Sequence, residues 1–203
     1  MLSKRKIIAV VVLMLIVGFG VRLLRVAPTS AIARSAISRN AVGGIKNGGM
    51  TPNGTLDTVG GRILSLRSFR GTTTMLWFMV AGCASCVSSV PAVAGHMRTL
   101  QSHGVRVVSV DLYGDLPQTP QGRAEFFDFM SSVSKLNNPN SSWIWGLASK
   151  SLSYRLDPKG IPDLYYLIGP HGHIRYQNTV PLSTMRQLLQ SAKSLAKVST
   201  GNA

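Results

Sequence analysis

At 203 residues, 45% hydrophobic and 14% charged, the chain is long enough for about one domain plus extensions, and too apolar for a disordered polymer. Lysine and arginine number 22 against 7 acids, a net charge of +15. The positive residues from Arg62 to Arg186 stand singly, and no basic run or aromatic-interleaved motif lies in the folded part. That pattern argues against nucleic acid as a partner and is compatible with an anionic membrane surface.

Ile7 to Leu24 is an apolar run of 18 residues broken only by Arg22, after a basic flank of Lys4, Arg5 and Lys6. Its length and flank predict a single membrane span over residues 1–26, N-terminus inside, with the rest of the chain on the extracytoplasmic side and the lipid bilayer as a partner. A cleaved signal is the alternative, because Ala31-Ile32-Ala33 has the small-x-small pattern of a processing site. Residues 27–50, rich in Ala, Ser, Gly and Asn, read as a flexible linker, and the domain is expected over 51–203.

Within the domain, "TLDTVGGRILSL" alternates about Gly60-Gly61 and predicts a β-hairpin. "TTTMLWFMV" predicts a strand buried on both faces, followed by a helix from about Cys83 to Ser102 that Pro91 must kink or divide. "GVRVVSVD" is a second buried strand, and Thr119-Pro120 is a capped helix start ahead of "EFFDFMSSV". "NNPNSS" is loop, "SWIWGL" a short strand and "ASKSLSYRL" a short helix. "DLYYLIG" and "HIRYQ" form a hairpin about "PHG", and Ser183 to Val198 is an amphipathic closing helix. Strands alternating with helices before a terminal hairpin and helix define an α/β fold with a mixed central sheet flanked by helices.

Both cysteines, Cys83 and Cys86, fall in "MVAGCASCVSSVP", where a buried strand meets a helix. A Cys-x-x-Cys pair serves as a redox couple, as half of a metal site, or as two inert thiols. His171-Gly-His173 supplies two further ligands by count, but helical zinc ligands are spaced H-x₃₋₅-H, and a turn setting is the better reading. His96 and His103 read as surface groups, and Trp143, Trp145, Phe126, Phe127, Phe129 and Met130 as core.

From about Thr55 to Val198 the sequence resembles the thioredoxin fold, most closely the membrane-tethered thiol–disulfide oxidoreductases of the TlpA and ResA kind. "LDTVGGRILSLRSFRG" is similar to their N-terminal hairpin extension, and "MLWFMVAGCASC" to their strand-to-site junction. Pro91 stands eight residues after Cys83, and "KGIPDLYYLIGPHGHI" is similar to the segment in which a cis-proline opens a strand. The resemblance implies that Cys83 is the nucleophile and Cys86 the resolving thiol of a redox-active disulfide. It also implies that Ile161 and cis-Pro162 face them and pair with a protein substrate. No cofactor is called for. The implied partners are protein thiols or disulfides and a membrane or extracytoplasmic electron-transfer partner; a dedicated reductant for cytochrome c or copper-site maturation is one version.

The chemistry needs a thiolate, and a helix N-terminus lowers a thiol's pKa from its free value of about 8.5 by aiming N–H groups at sulfur. Ala84 and Ser85 are small and leave that sulfur open. Three positions depart from the family. Gly82 replaces the tryptophan before the first cysteine, Trp77 stands where thioredoxins bury an acid, and Ser89 where ResA-type chains have a glutamate. No carboxylate is therefore visible along the chain to accept the Cys86 proton, and the direction of electron flow is left open. A peroxidase would want threonine where Val80 stands.

Overall fold

The computed structural model describes residues 42–136 and 142–200, with side chains to Lys197. The expected membrane or signal segment, the linker up to residue 41 and most of the "NNPNSS" loop lie outside the described residues. Among the described residues no helix is long and apolar enough to cross a membrane.

A seven-stranded mixed sheet organises the chain. In sequence its strands are β1 (Thr55–Thr58), β2 (Ile63–Ser65), β3 (Thr73–Met79), β4 (Val105–Asp111), β5 (Trp143–Ala148), β6 (Leu164–Ile168) and β7 (Ile174–Thr179), and in space they run β2-β1-β5-β4-β3-β6-β7. Strands β3, β4 and β5 are parallel, whereas β6, β7, β1 and β2 join antiparallel. The described residues also form four α-helices: α1 (Ala84–Ser102), α2 (Pro120–Ser134), α3 (Lys150–Leu156) and α4 (Pro181–Thr200).

β3 lies inside the sheet between β4 and β6, and all seven of its residues are buried, which explains its unbroken apolar run. Its alternate side chains feed two cores. Met75, Trp77 and Met79 pack with α1, α2 and α4, while Leu76 and Phe78 pack with α3 and the 3₁₀ turn at Leu66–Phe69. Trp143 and Trp145 are fully enclosed in the first core, with Phe126 and Met130 beside them. Thr119 caps α2 through its hydroxyl, which accepts from Gly122 N at 3.3 Å. Pro91 sits inside α1 without dividing it.

The linker ends earlier than its composition suggests, because residues 42–50 are packed against the domain. Val42 and Ile45 join the second core. Gly48 N donates to Ile174 O at 2.7 Å and Ile174 N to Gly49 O at 2.8 Å, and Met50 bridges His173, so this segment covers the free edge of β7. The buried side chain of Gln177 fastens its first half, accepting from Gly43 N at 3.0 Å and donating to Ile45 O at 2.9 Å. Gly43 is glycine for a packing reason: a Cβ there would meet the Tyr166 hydroxyl at 1.7 Å.

Candidate functional site

β3 ends at Met79, and the chain turns through Val80, Ala81 and Gly82 before α1 begins at Ala84. Gly82 has φ +78°, a left-handed conformation that any side chain strains. The loop is fastened by Ala81 N, which donates to Asp115 Oδ2 at 2.8 Å, and by Cys83 N, which donates to Val80 O at 3.1 Å.

Cys83 is the N-cap of α1, with φ −62° and ψ 125°; its carbonyl accepts from Val87 N at 2.9 Å, and its side chain caps no backbone N–H. The sulfur is half-buried and lies 3.2 Å from Ser85 Oγ. Burial pushes this thiol up, but the Ser85 hydroxyl, the backbone N–H groups of Cys86 and Ser85 and the Cys86 thiol outweigh it, so its pKa is held below the ordinary value. Cys86 behaves oppositely. It is fully buried, and burial drives its pKa far up, with the contact to Cys83 and the charge on Asp163 adding to the effect. The pair is unbridged and asymmetric: an accessible thiol disposed to ionise, and an enclosed one disposed to stay protonated.

Ile161 and Pro162 form a turn rather than the implied cis-proline corner, since there is no cis peptide bond among the described residues. Leu164 N reaches back to Ile161 O at 3.4 Å, and Asp163 after the proline has φ +68°. Proline second and a left-handed residue third is the arrangement of a type II turn, which reverses the chain with a trans bond. Pro162 is exposed, and Ile161 packs on the second core.

Immediately after them comes a residue that motif reading passed over. Asp163 is fully buried; its Oδ1 accepts from Trp77 Nε1 at 2.8 Å and its Oδ2 from Ser89 Oγ at 3.0 Å. Burial raises its pKa, and the donors Trp77, Ser89 and Ser85 pull the other way without cancelling the rise. Trp77 and Ser89 are thus both hydrogen-bond donors to one carboxylate, which stands just ahead of β6. A second buried acid, Asp111 at the end of β4, lies against Asp115 and accepts from Leu116 N at 3.1 Å. Burial first, then the neighbouring carboxyl, pushes Asp111 up to about 8.

His171 and His173 lie at the other end of β6, about the turn into β7. Among the described residues no group of three or more His, Cys, Asp and Glu is placed to hold a metal ion.

The element order, the mixed sheet and the two-core packing define a thioredoxin-like fold. Solved structures with that architecture align over most of the chain. The thioredoxin domain of a thiol-disulfide oxidoreductase from Bacteroides vulgatus matches with a TM-score of 0.53 and 18% identity, over 71% of this chain and 99% of that one. A thiol:disulfide interchange protein from a Bacteroides species gives 0.53 and 18%, over 72% and 92%. A yeast mitochondrial 1-Cys peroxiredoxin gives 0.56 and 14%, over 77% and 78%. No protein family and no curated protein matches the sequence. At these identities the likeness is one of fold, and the chemistry rests on the site.

Proposed function

We propose that this chain is a thiol–disulfide oxidoreductase that exchanges disulfides with protein substrates through Cys83 and Cys86. One observation carries the reading: a half-exposed thiol of lowered pKa stands at the N-cap position of a helix, and a buried thiol three residues on contacts it. Cys83, as thiolate, attacks a substrate disulfide and forms a mixed disulfide; Cys86 then attacks Cys83 and releases the substrate thiolate. Val87, one turn beyond Cys83, and Leu182, whose N–H reaches Ser89 Oγ at 3.4 Å, are exposed apolar residues that suit a protein substrate. Ile161 and Pro162, joined to the site through Asp163, are assigned to the rim that the substrate touches. The peroxiredoxin chemistry known on this fold is disfavoured by Val80 in place of threonine.

The same proposal includes tethering on the extracytoplasmic face of a membrane through residues 1–26, supported by the Ile7–Leu24 run, and an electron-transfer partner there that resets the pair. An intact mass beginning at Arg34 would overturn the retained anchor. For the chemistry, the full chain and its Cys83→Ser and Cys86→Ser variants are assayed on a disulfide-bonded protein. Both variants are expected to lose turnover, and Cys86→Ser to accumulate mixed disulfides. If Cys86→Ser traps nothing while zinc copurifies with the unsubstituted chain, the thiols are metal ligands and the redox assignment fails.

A further inference from the structure

A fully buried thiol cannot serve as an attacking group unless something takes its proton. Cys86 is such a thiol, and its own surroundings disfavour the charged form. Ser89, one helical turn on, supplies only a hydroxyl, and Trp77 beneath it only an indole. The fold brings one carboxylate to this place from β6, through the turn that carries Pro162. Asp163 is pinned there by four contacts: N to Phe78 O at 3.0 Å, its carbonyl accepting from Val180 N at 3.0 Å, and its carboxylate oxygens accepting from Trp77 and Ser89. The Ser85 hydroxyl bears on the same carboxylate and also lies against Cys83 Sγ. No cation pairs with Asp163 among the described residues, so nothing fixes it as a permanent anion.

We propose that Asp163 is the proton acceptor for Cys86 in the resolving step. This deepens the oxidoreductase reading above and rests on it. With a substrate sulfur bonded to Cys83 Sγ, the Cys86 proton passes to the Asp163 carboxylate as Cys86 Sγ attacks Cys83 Sγ. The Cys83–Cys86 bond forms, the bond between Cys83 and the substrate sulfur breaks, and that sulfur leaves as a thiolate with the electron pair. The substrate disulfide is reduced by two electrons and the cysteine pair is oxidised by two; run backwards, the neutral Asp163 returns the proton to Cys86. Trp77 and Ser89 act as positioning residues, since their donors hold the carboxylate and favour its charged form. The other titratable groups bearing on this arrangement are Cys83, through Ser85, and Tyr165 on β6. The Tyr165 phenol is bonded to Thr184 Oγ1 of α4 at 2.6 Å, and burial keeps it protonated at working pH.

The test uses the reduced full chain and an aromatic disulfide, 5,5′-dithiobis(2-nitrobenzoate), whose coloured thiolate is released twice. The first release reports attack by Cys83, and the second reports displacement by Cys86. In Asp163→Asn the first release is expected to keep its rate within about twofold, while the second slows about a hundredfold and loses the pH dependence of the carboxylate. Asp163→Glu should restore part of the second rate. Trp77→Phe keeps the acid but removes one donor, so the pH midpoint of the second release should move up; this variant serves if Asp163→Asn does not fold. A second release unchanged in rate and pH profile in the variants overturns the assignment. So does an equal slowing of both releases, which would mark a structural role. No first release from the unsubstituted chain would instead refute the oxidoreductase reading itself.

Discussion

Replacing Asp111 by asparagine tests whether this buried acid, set against the exposed Asp115 beside the cysteine loop, is a source of pH-dependent stability. The Asp111 carboxyl titrates near 8 in the fold against 3.8 for the free group, because burial and the carboxyl of Asp115 both oppose its charge. Between those two values the native state holds a proton that the unfolded chain has released. The contribution of this carboxyl to stability is therefore fully present below about pH 4 and is lost as pH rises towards 8. At about 1.4 kcal/mol per pH unit the ceiling on that loss is roughly 6 kcal/mol for the pair sharing the proton. Asparagine mimics the protonated acid: its amide can donate to Asp115, and its oxygen can still accept from Leu116 N. The expected result is little change at pH 4 and a clear gain at pH 8.5, with a flattened slope between. Urea unfolding of the compact unit Arg39–Ala203 at a series of pH values measures it. Equal slopes for the parent and Asp111→Asn would show that the pair is not the source.

Two shorter tests address the loop and the nucleophile. Gly82→Ala puts a β-carbon on a residue with φ +78°, where nothing crowds it but the backbone resists it; a loss of about 1–2 kcal/mol is expected in the same urea assay. Ser85→Ala removes the hydroxyl 3.2 Å from Cys83 Sγ, the strongest influence lowering that thiol's pKa. The pH midpoint of Cys83 alkylation should move up, and an unmoved midpoint would assign the lowered pKa to the helix N–H groups and the Cys86 thiol instead.

The strands and helices were legible because each carries a local signal. β3 is a continuous apolar run, α2 is announced by Thr119-Pro120, and the β1–β2 hairpin turns at Gly60-Gly61, as alternation about paired glycines predicts. Cys83 and Cys86 were legible for the same reason, since a helix start after a buried strand is a local context. What was not legible depended on residues far apart in sequence. The segment 42–50 reads as a tether because it has no apolar period, yet it is held by backbone bonds to β7 and by Gln177, more than 130 residues away. Its glycines, which suggest looseness, include one that permits close approach to Tyr166. The Ile161-Pro162 bond was expected cis by resemblance, whereas the left-handed conformation of Asp163 completes a turn with a trans bond.

The placement of the acids argues that the site is their reason. The chain has only 7 acidic residues against 22 basic ones, yet Asp111, Asp157 and Asp163 are buried. Burying a carboxylate away from a cation is costly, and a fold selected only for stability would place asparagine or an apolar residue there. Two of the three are at the end of the sheet where β3 delivers the cysteines: Met79 pairs with Asp111 across β4, and Asp163 N bonds Phe78 O from β6. The pairing of β6 with β3 sets Tyr165 opposite Trp77, which carries residue 163 past the end of Trp77 and over the first turns of α1. An acid at position 77 or 89 would have announced itself by its spacing from the cysteines. Placed just ahead of β6, the strand beside β3, a carboxylate reaches the same end of the sheet, and only the register reveals it.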